Sequence, residues 1–203
     1  MDNKCNTIQS DNESATPQMH MNGSAIKVIG LGNGGSRTVS KMHRMESESE
    51  DVSFFTLDSD PLSESVRQIL AEGAGTAIII SCLGGEKGSE AAHEAAQLSH
   101  DMGIRTIGIV TLPFHFEGRE RVTKALVDVQ ALKSCYDNLV VVDDNRLIDY
   151  YTDLTFGNAF DKADEILSRT VIDVLGLLKN HNRDSIEATA LPDDLRKAGI
   201  SVF

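Results

Sequence analysis

Short apolar runs, each ended by a polar or glycine-rich loop and followed by a stretch of helical periodicity, recur along most of this chain. This alternation restricts the fold more than any single motif does. The runs lie at 26–31, 52–57, 76–82, 104–110 and 139–142. Strands joined through helices pair in parallel, so the pattern predicts an α/β fold: an open parallel sheet with helices on both faces. Thr76-Ala-Ile-Ile-Ile-Ser-Cys82 is apolar at successive positions, as expected of a central strand covered on both sides. Helices are expected at 36–44, with Ser36 as N-cap, at 62–71, after the 84–89 loop through His100, and at 117–133. A long helix follows at 158–179. Its stripe of Ala159, Phe160, Ala163, Ile166, Leu167, Val171, Val174, Leu175 and Leu178 keeps i, i+3, i+4 spacing. The tail reads as a loop with a short helix near 192–197. Residues 1–24 carry almost no large apolar side chains and read as a disordered extension. The expected organisation is therefore the extension at 1–24, an α/β domain at 25–150, the long helix at 151–180 and a tail at 181–203, with no second domain.

Composition narrows the function. The net charge of −12 argues against a nucleic-acid partner. Cys5, Cys82 and Cys135 form no CxxC, and the histidines have no ligand spacing, so neither a disulfide framework nor a metal site is expected. No apolar run approaches the ~20 residues of a membrane span. With no signal-peptide core before Ser24, the chain reads as cytoplasmic with reduced thiols.

The chemistry-bearing loops, 32–37, 58–61, 83–90, 111–117 and 143–146, all fall at the carboxyl ends of the expected strands. Open α/β sheets bind ligands at that edge, so the loops point to one shared site. Gly30-Leu-Gly-Asn-Gly-Gly35 fits G-x-G-x-x-G between a strand and a helix, where backbone N–H groups and the helix dipole meet a phosphate. The same motif fits a dinucleotide site, with Asp58 on a ribose, or a tight turn without ligand. Gly84-Gly-Glu-Lys-Gly-Ser-Glu90 is a second glycine-rich loop between strand and helix, which a dinucleotide fold does not need. Two such loops on adjacent strands suit a polyphosphate. Neither is a Walker loop, because no G-x-x-x-x-G-K-[ST] occurs. On spacing alone, Glu117 and Arg121 are a surface i, i+4 pair, Phe160 a core residue and Asp164 a solvated position.

Val110-Thr-Leu-Pro-Phe-His-Phe-Glu-Gly-Arg-Glu-Arg121 resembles the Val-Thr-x-Pro-Phe-x-Phe-Glu-Gly-x-x-Arg block of FtsZ, the bacterial tubulin-like GTPase. Residues 26–36 resemble its first phosphate loop, with Arg37 where the family has Asn. Gly84, Gly85 and Gly88 match its Gly-Gly-Gly-Thr-Gly-Thr-Gly loop. There Ser89 replaces Thr, Lys87 replaces Thr, and Glu86 and Glu90 replace glycines. Phe54-Phe-Thr-Leu-Asp-Ser-Asp60 is similar to Phe-Phe-x-x-Asn-Thr-Asp, so Asp60 matches. The Gly-Ala-Gly-Ala-Asn loop that cups the terminal phosphate has no counterpart. The resemblance implies a GTP or GDP site, with magnesium as a companion cation. It is built from Gly32, Asn33, Gly34, Gly35, Arg37, Asp60, Gly84, Gly85, Gly88, Ser89, Pro113, Glu117, Arg121, Asp144, Phe160 and Asp164. Within it Glu117 and Arg121 serve ribose and phosphate, and Asp144 stands at a base-contacting Asn. Phe160 stacks on guanine, whose N1 and N2 hydrogens Asp164 accepts. In the family, the segment after the long helix supplies two acids to the next subunit's nucleotide. Here the first becomes Glu187, the one catalytic candidate, and the second becomes Ala190. The resemblance, which covers 25–199, thus implies weak or lost hydrolysis. Assembly would be head-to-tail with itself or with an FtsZ-type protein, in cell division. The alternatives are a nucleotide-free scaffold derived from the same fold, or a dinucleotide binder using Gly30, Gly32, Gly35 and Asp58.

Overall fold

The computed structural model describes residues 26–45, 51–58, 62–181, 187 and 190–203. The expected extension at 1–24 and Asp60 lie outside them. A six-stranded sheet with strand order β2-β1-β3-β4-β5-β6 organises the chain. Its elements are β1 (Ile26–Leu31), α1 (Gly32–Met45), β2 (Val52–Leu57), α2 (Leu62–Ala71), β3 (Thr76–Cys82), α3 (Glu86–Asp101), β4 (Arg105–Leu112), α4 (Arg119–Leu132), β5 (Asn138–Asp143), α5 (Leu147–Tyr150), α6 (Ala159–His181), α7 (Asp193–Lys197) and β6 (Ile200–Val202). The first five strands pair in parallel, as their helical connections require. β6 pairs antiparallel with β5.

Alternation along each strand divides the core into two layers. Val28, Ile78, Ile80, Ile107, Ile109, Val140 and Val142 face α1, α6 and α7. Ile29, Leu31, Ile79, Val110, Leu139 and Val141 face α2, α3 and α4. Helices therefore cover both faces, as the near-continuous apolar strands foretold. The stripe of α6 is buried through Ala163, Ile166, Leu167, Val171, Val174 and Leu175 in the first layer.

Three local expectations are corrected. Ser36 does not cap a helix: α1 begins at Gly32, and the Ser36 hydroxyl donates to the Gly30 carbonyl at 3.2 Å. The helix expected from 117 begins at Arg119, after a 3-10 turn at His115–Glu117 whose carboxylate accepts from the Phe114 N–H at 2.9 Å. The tail carries a strand as well as its short helix. Ile200-Ser-Val202 is too short to show periodicity and is strand because it completes the ladder of β5.

Candidate functional site

The connections from β1 and β3 leave the sheet toward opposite faces, since α1 packs in one layer and α3 in the other. This divergence leaves a crevice beyond the carboxyl ends of the two adjacent strands, where doubly wound sheets take ligands. The N-termini of α1 and α3 flank it. A Cβ built on Gly32, where φ is +67°, would lie 3.8 Å from the Gly88 Cα, so the two glycine loops face each other. Gly84, with φ +82°, passes so close to α4 that an added Cβ would lie 2.6 Å from the Arg121 carbonyl oxygen. Only glycine combines that conformation with that approach.

A cleft of about 310 Å³ opens beside these loops. Asn33, Gly34, Arg37, Pro113, Glu117, Arg121, Asp144, Phe160 and Asp164 line it, together with Cys82, Leu83, Thr111 and Ala163. Residues from 33 to 164 thus converge on one cavity. Gly32 and Gly35 lie in the first turn of α1 and Gly88 and Ser89 in the first turn of α3, not in loops as expected, while Gly84 and Gly85 precede α3; none of them is among the residues lining the cavity. Glu187 is exposed, in the segment after α6, and does not line the cleft.

The glycine-rich side is basic. Arg121 reaches within 3.8 Å of a Cβ built on Gly85, and Lys124 donates to the Gly85 carbonyl at 3.4 Å. Lys124 was missed by the sequence reading, though its i+3 spacing from Arg121 puts both on one face of α4. Arg121 also pairs with Glu117 at 3.4 Å, so this i, i+4 contact is part of the cleft wall. Glu90 is exposed, turned to solvent on α3. The buried Ser89 hydroxyl has no hydrogen-bond partner.

The opposite side is acidic and aromatic. Asp144 is 6% exposed and its Oδ1 has no hydrogen-bond partner. Burial, reinforced by Glu117, Asp143 and Asp164, pushes its carboxyl well above the usual carboxylate range. A protonated Asp offers one donor and one acceptor, the pattern of the asparagine amide. Phe160 is 45% exposed in the cleft wall, with its edge against Phe114 at 5.8 Å and Phe116 at 6.0 Å between ring centroids. Asp164 is buried, and both its oxygens accept from Arg37: Nε to Oδ2 at 2.5 Å and Nη2 to Oδ1 at 2.9 Å. The sequence reading counted Arg37 among the nucleotide-site residues and did not foresee this pairing. Desolvation raises the Cys82 thiol to about 11, so the sulfur stands in the wall as a neutral thiol. Asn145 braces this edge: it accepts from the His115 N–H at 2.7 Å and donates to the Pro113 carbonyl at 3.1 Å.

The cleft thus brings together the unpartnered Ser89 and Asp144 oxygens at its edge and wall, two facing helix N-termini and a half-exposed ring. Among the described residues no group of three or more His, Cys, Asp or Glu is placed to hold a metal ion. No helix among them is long and apolar enough to cross a membrane.

Fold and cleft together define an α/β domain of nucleotide-binding type. The Tubulin/FtsZ family, GTPase domain, matches residues 60–152. The cell division protein FtsZ of Porphyromonas gingivalis is 28% identical over 88% of this chain and 47% of its own length. FtsZ of M. jannaschii superposes with a TM-score of 0.70 at 22% identity, over 77% of this chain and 56% of that one. CetZ from Methanosaeta thermophila does so at 0.60 and 15% identity, over 85% and 59%. The chain is thus similar to the FtsZ/tubulin family in sequence over these residues and in fold, and it spans about half the length of the curated relative it matches.

Proposed function

We propose that the cleft binds a guanine nucleotide, GTP or GDP, with its phosphates between the Gly32–Gly35 and Gly84–Ser89 loops and its base against Phe160. The observation that carries this reading is the convergence of Asp144, Phe160 and Asp164 on one cavity beside facing glycine loops at the switch point of the sheet. Asp164 supplies a carboxylate for the two adjacent donors of guanine, an edge adenine lacks. Asp144 supplies the donor and acceptor pair of an amide, and Arg121 with Lys124 offsets phosphate charge. Asp60 belongs to the same site by family register alone.

Hydrolysis is weak or lost. The family's two acids reduce here to Glu187, with Ala190 at the second position. The remaining capacity is assembly, head-to-tail or with an FtsZ-type protein, in a cytoplasmic process related to cell division. A second reading, a nucleotide-free scaffold, is favoured by one observation: Asp164 is already satisfied by Arg37.

Calorimetric titration with GTP, GDP, ATP and NAD, with and without magnesium, decides among these. Guanine-selective binding that is lost in Asp164→Ala is the expected result. Binding of NAD alone would favour the dinucleotide reading, and binding of none would favour the scaffold.

A further inference from the structure

The guanidinium of Arg37 meets Asp164 as a fork on a carboxylate, with two parallel N–H donors on two oxygens. A guanine base presents the same arrangement of donors along its N1 and N2 edge. The two therefore compete for one acceptor. Arg37 stands on α1 beside Asn33 and Gly34, and Asp164 stands on α6, so the contact bridges the cleft between two of its walls. Asp161 adds attraction for the guanidinium from the same helix. The Arg37 side chain remains 56% exposed, so solvent weakens the pair and a ligand can displace it.

We infer that Arg37 is an internal stand-in for guanine, an autoinhibitory residue that holds Asp164 closed until a nucleotide base displaces it. This inference rests on the guanine-nucleotide reading of the cleft. Affinity is then reduced by the fraction of molecules in which the pair is open. Arg37 lowers affinity for guanine alone, because adenine does not use the Asp164 acceptor.

The test uses the full chain with GDP and ADP as probes, for wild type, Arg37→Asn, Arg37→Lys and Asp164→Asn. Arg37→Asn is expected to bind GDP about tenfold more tightly than wild type and to raise the ratio of GDP to ADP affinity. Arg37→Lys, which cannot fork, is expected to fall between them. Asp164→Asn is expected to lose guanine preference whatever stands at 37. A readout independent of variants is the Arg37 Nε–H resonance. It should exchange slowly in free wild type and rapidly at GDP saturation. Equal or weaker GDP binding by Arg37→Asn overturns the inference and leaves the nucleotide reading standing, as does an Arg37 Nε–H still protected at saturation. Failure of every variant to bind either nucleotide overturns both.

Discussion

Asp144 is a buried carboxyl in the cleft wall with one oxygen unpartnered. Its carboxyl is raised by burial first and by Glu117, Asp143 and Asp164 after it, so the folded state binds its proton more tightly than the unfolded chain does. The stability this contributes is full below the ordinary carboxylate value, 3.8, and is lost as pH rises toward the raised folded value. Asp144→Asn keeps the shape and removes the titration. Denaturant unfolding should show the variant gaining on wild type as pH rises above the ordinary carboxylate value of 3.8, whereas a pH-independent difference would refute the assignment. Gly34 offers a second case. A Cβ there would lie 2.3 Å from the Cys82 sulfur. Gly34→Ala should cost about 1–3 kcal/mol by overpacking. Adding Cys82→Ala should recover part of that loss, with a coupling of about 0.5–3 kcal/mol in a double-mutant cycle.

Among the elements, the 3-10 turn after β4 carries the aromatic support of the cleft. Phe114 is fully buried, stacked on Phe116 at 4.7 Å and touched by the edge of Phe160. Phe114→Ala should destabilise the fold by about 3–5 kcal/mol, and the loosened Phe160 should weaken GDP binding in the fraction that folds. The last strand is the other informative element. The Leu139 and Phe203 backbones exchange hydrogen bonds at 2.9 Å in both directions, and Lys133 sits over the Phe203 ring at 3.6 Å. Removing 200–203 would bare the β5 edge. Lower thermal stability and concentration-dependent aggregation are the expected result by light scattering.

For the whole molecule, the proposed loss of hydrolysis turns on Glu187 and Ala190 in the segment after α6. A phosphate-release assay at saturating GTP should show turnover near background. If Ala190 is the missing element, Ala190→Asp should raise it, each ~1.4 kcal/mol of restored stabilisation giving about tenfold. An unchanged rate would place the deficit elsewhere than at Ala190. Sedimentation with and without GTP, alone and with an FtsZ-type protein, then separates assembly with itself from assembly with a relative.

The amino-acid sequence by itself determined the strand and helix alternation, the parallel core and the chain positions of both glycine loops. Those properties follow from local steric preference, from periodicity and from the length that a crossover needs. It also marked Asp144, Phe160 and Asp164, through family register rather than spacing. Tertiary structure alone decided what these groups meet. Arg37 and Asp164 are 127 residues apart in the chain, and no local pattern links them. Lys124 reaches the Gly85 loop only because α4 packs beside α3. Ile200-Ser-Val202 is a strand only because β5 has an open edge beside it. Local conformation is decided by neighbours in sequence, whereas charge pairing and edge pairing are decided by neighbours in space.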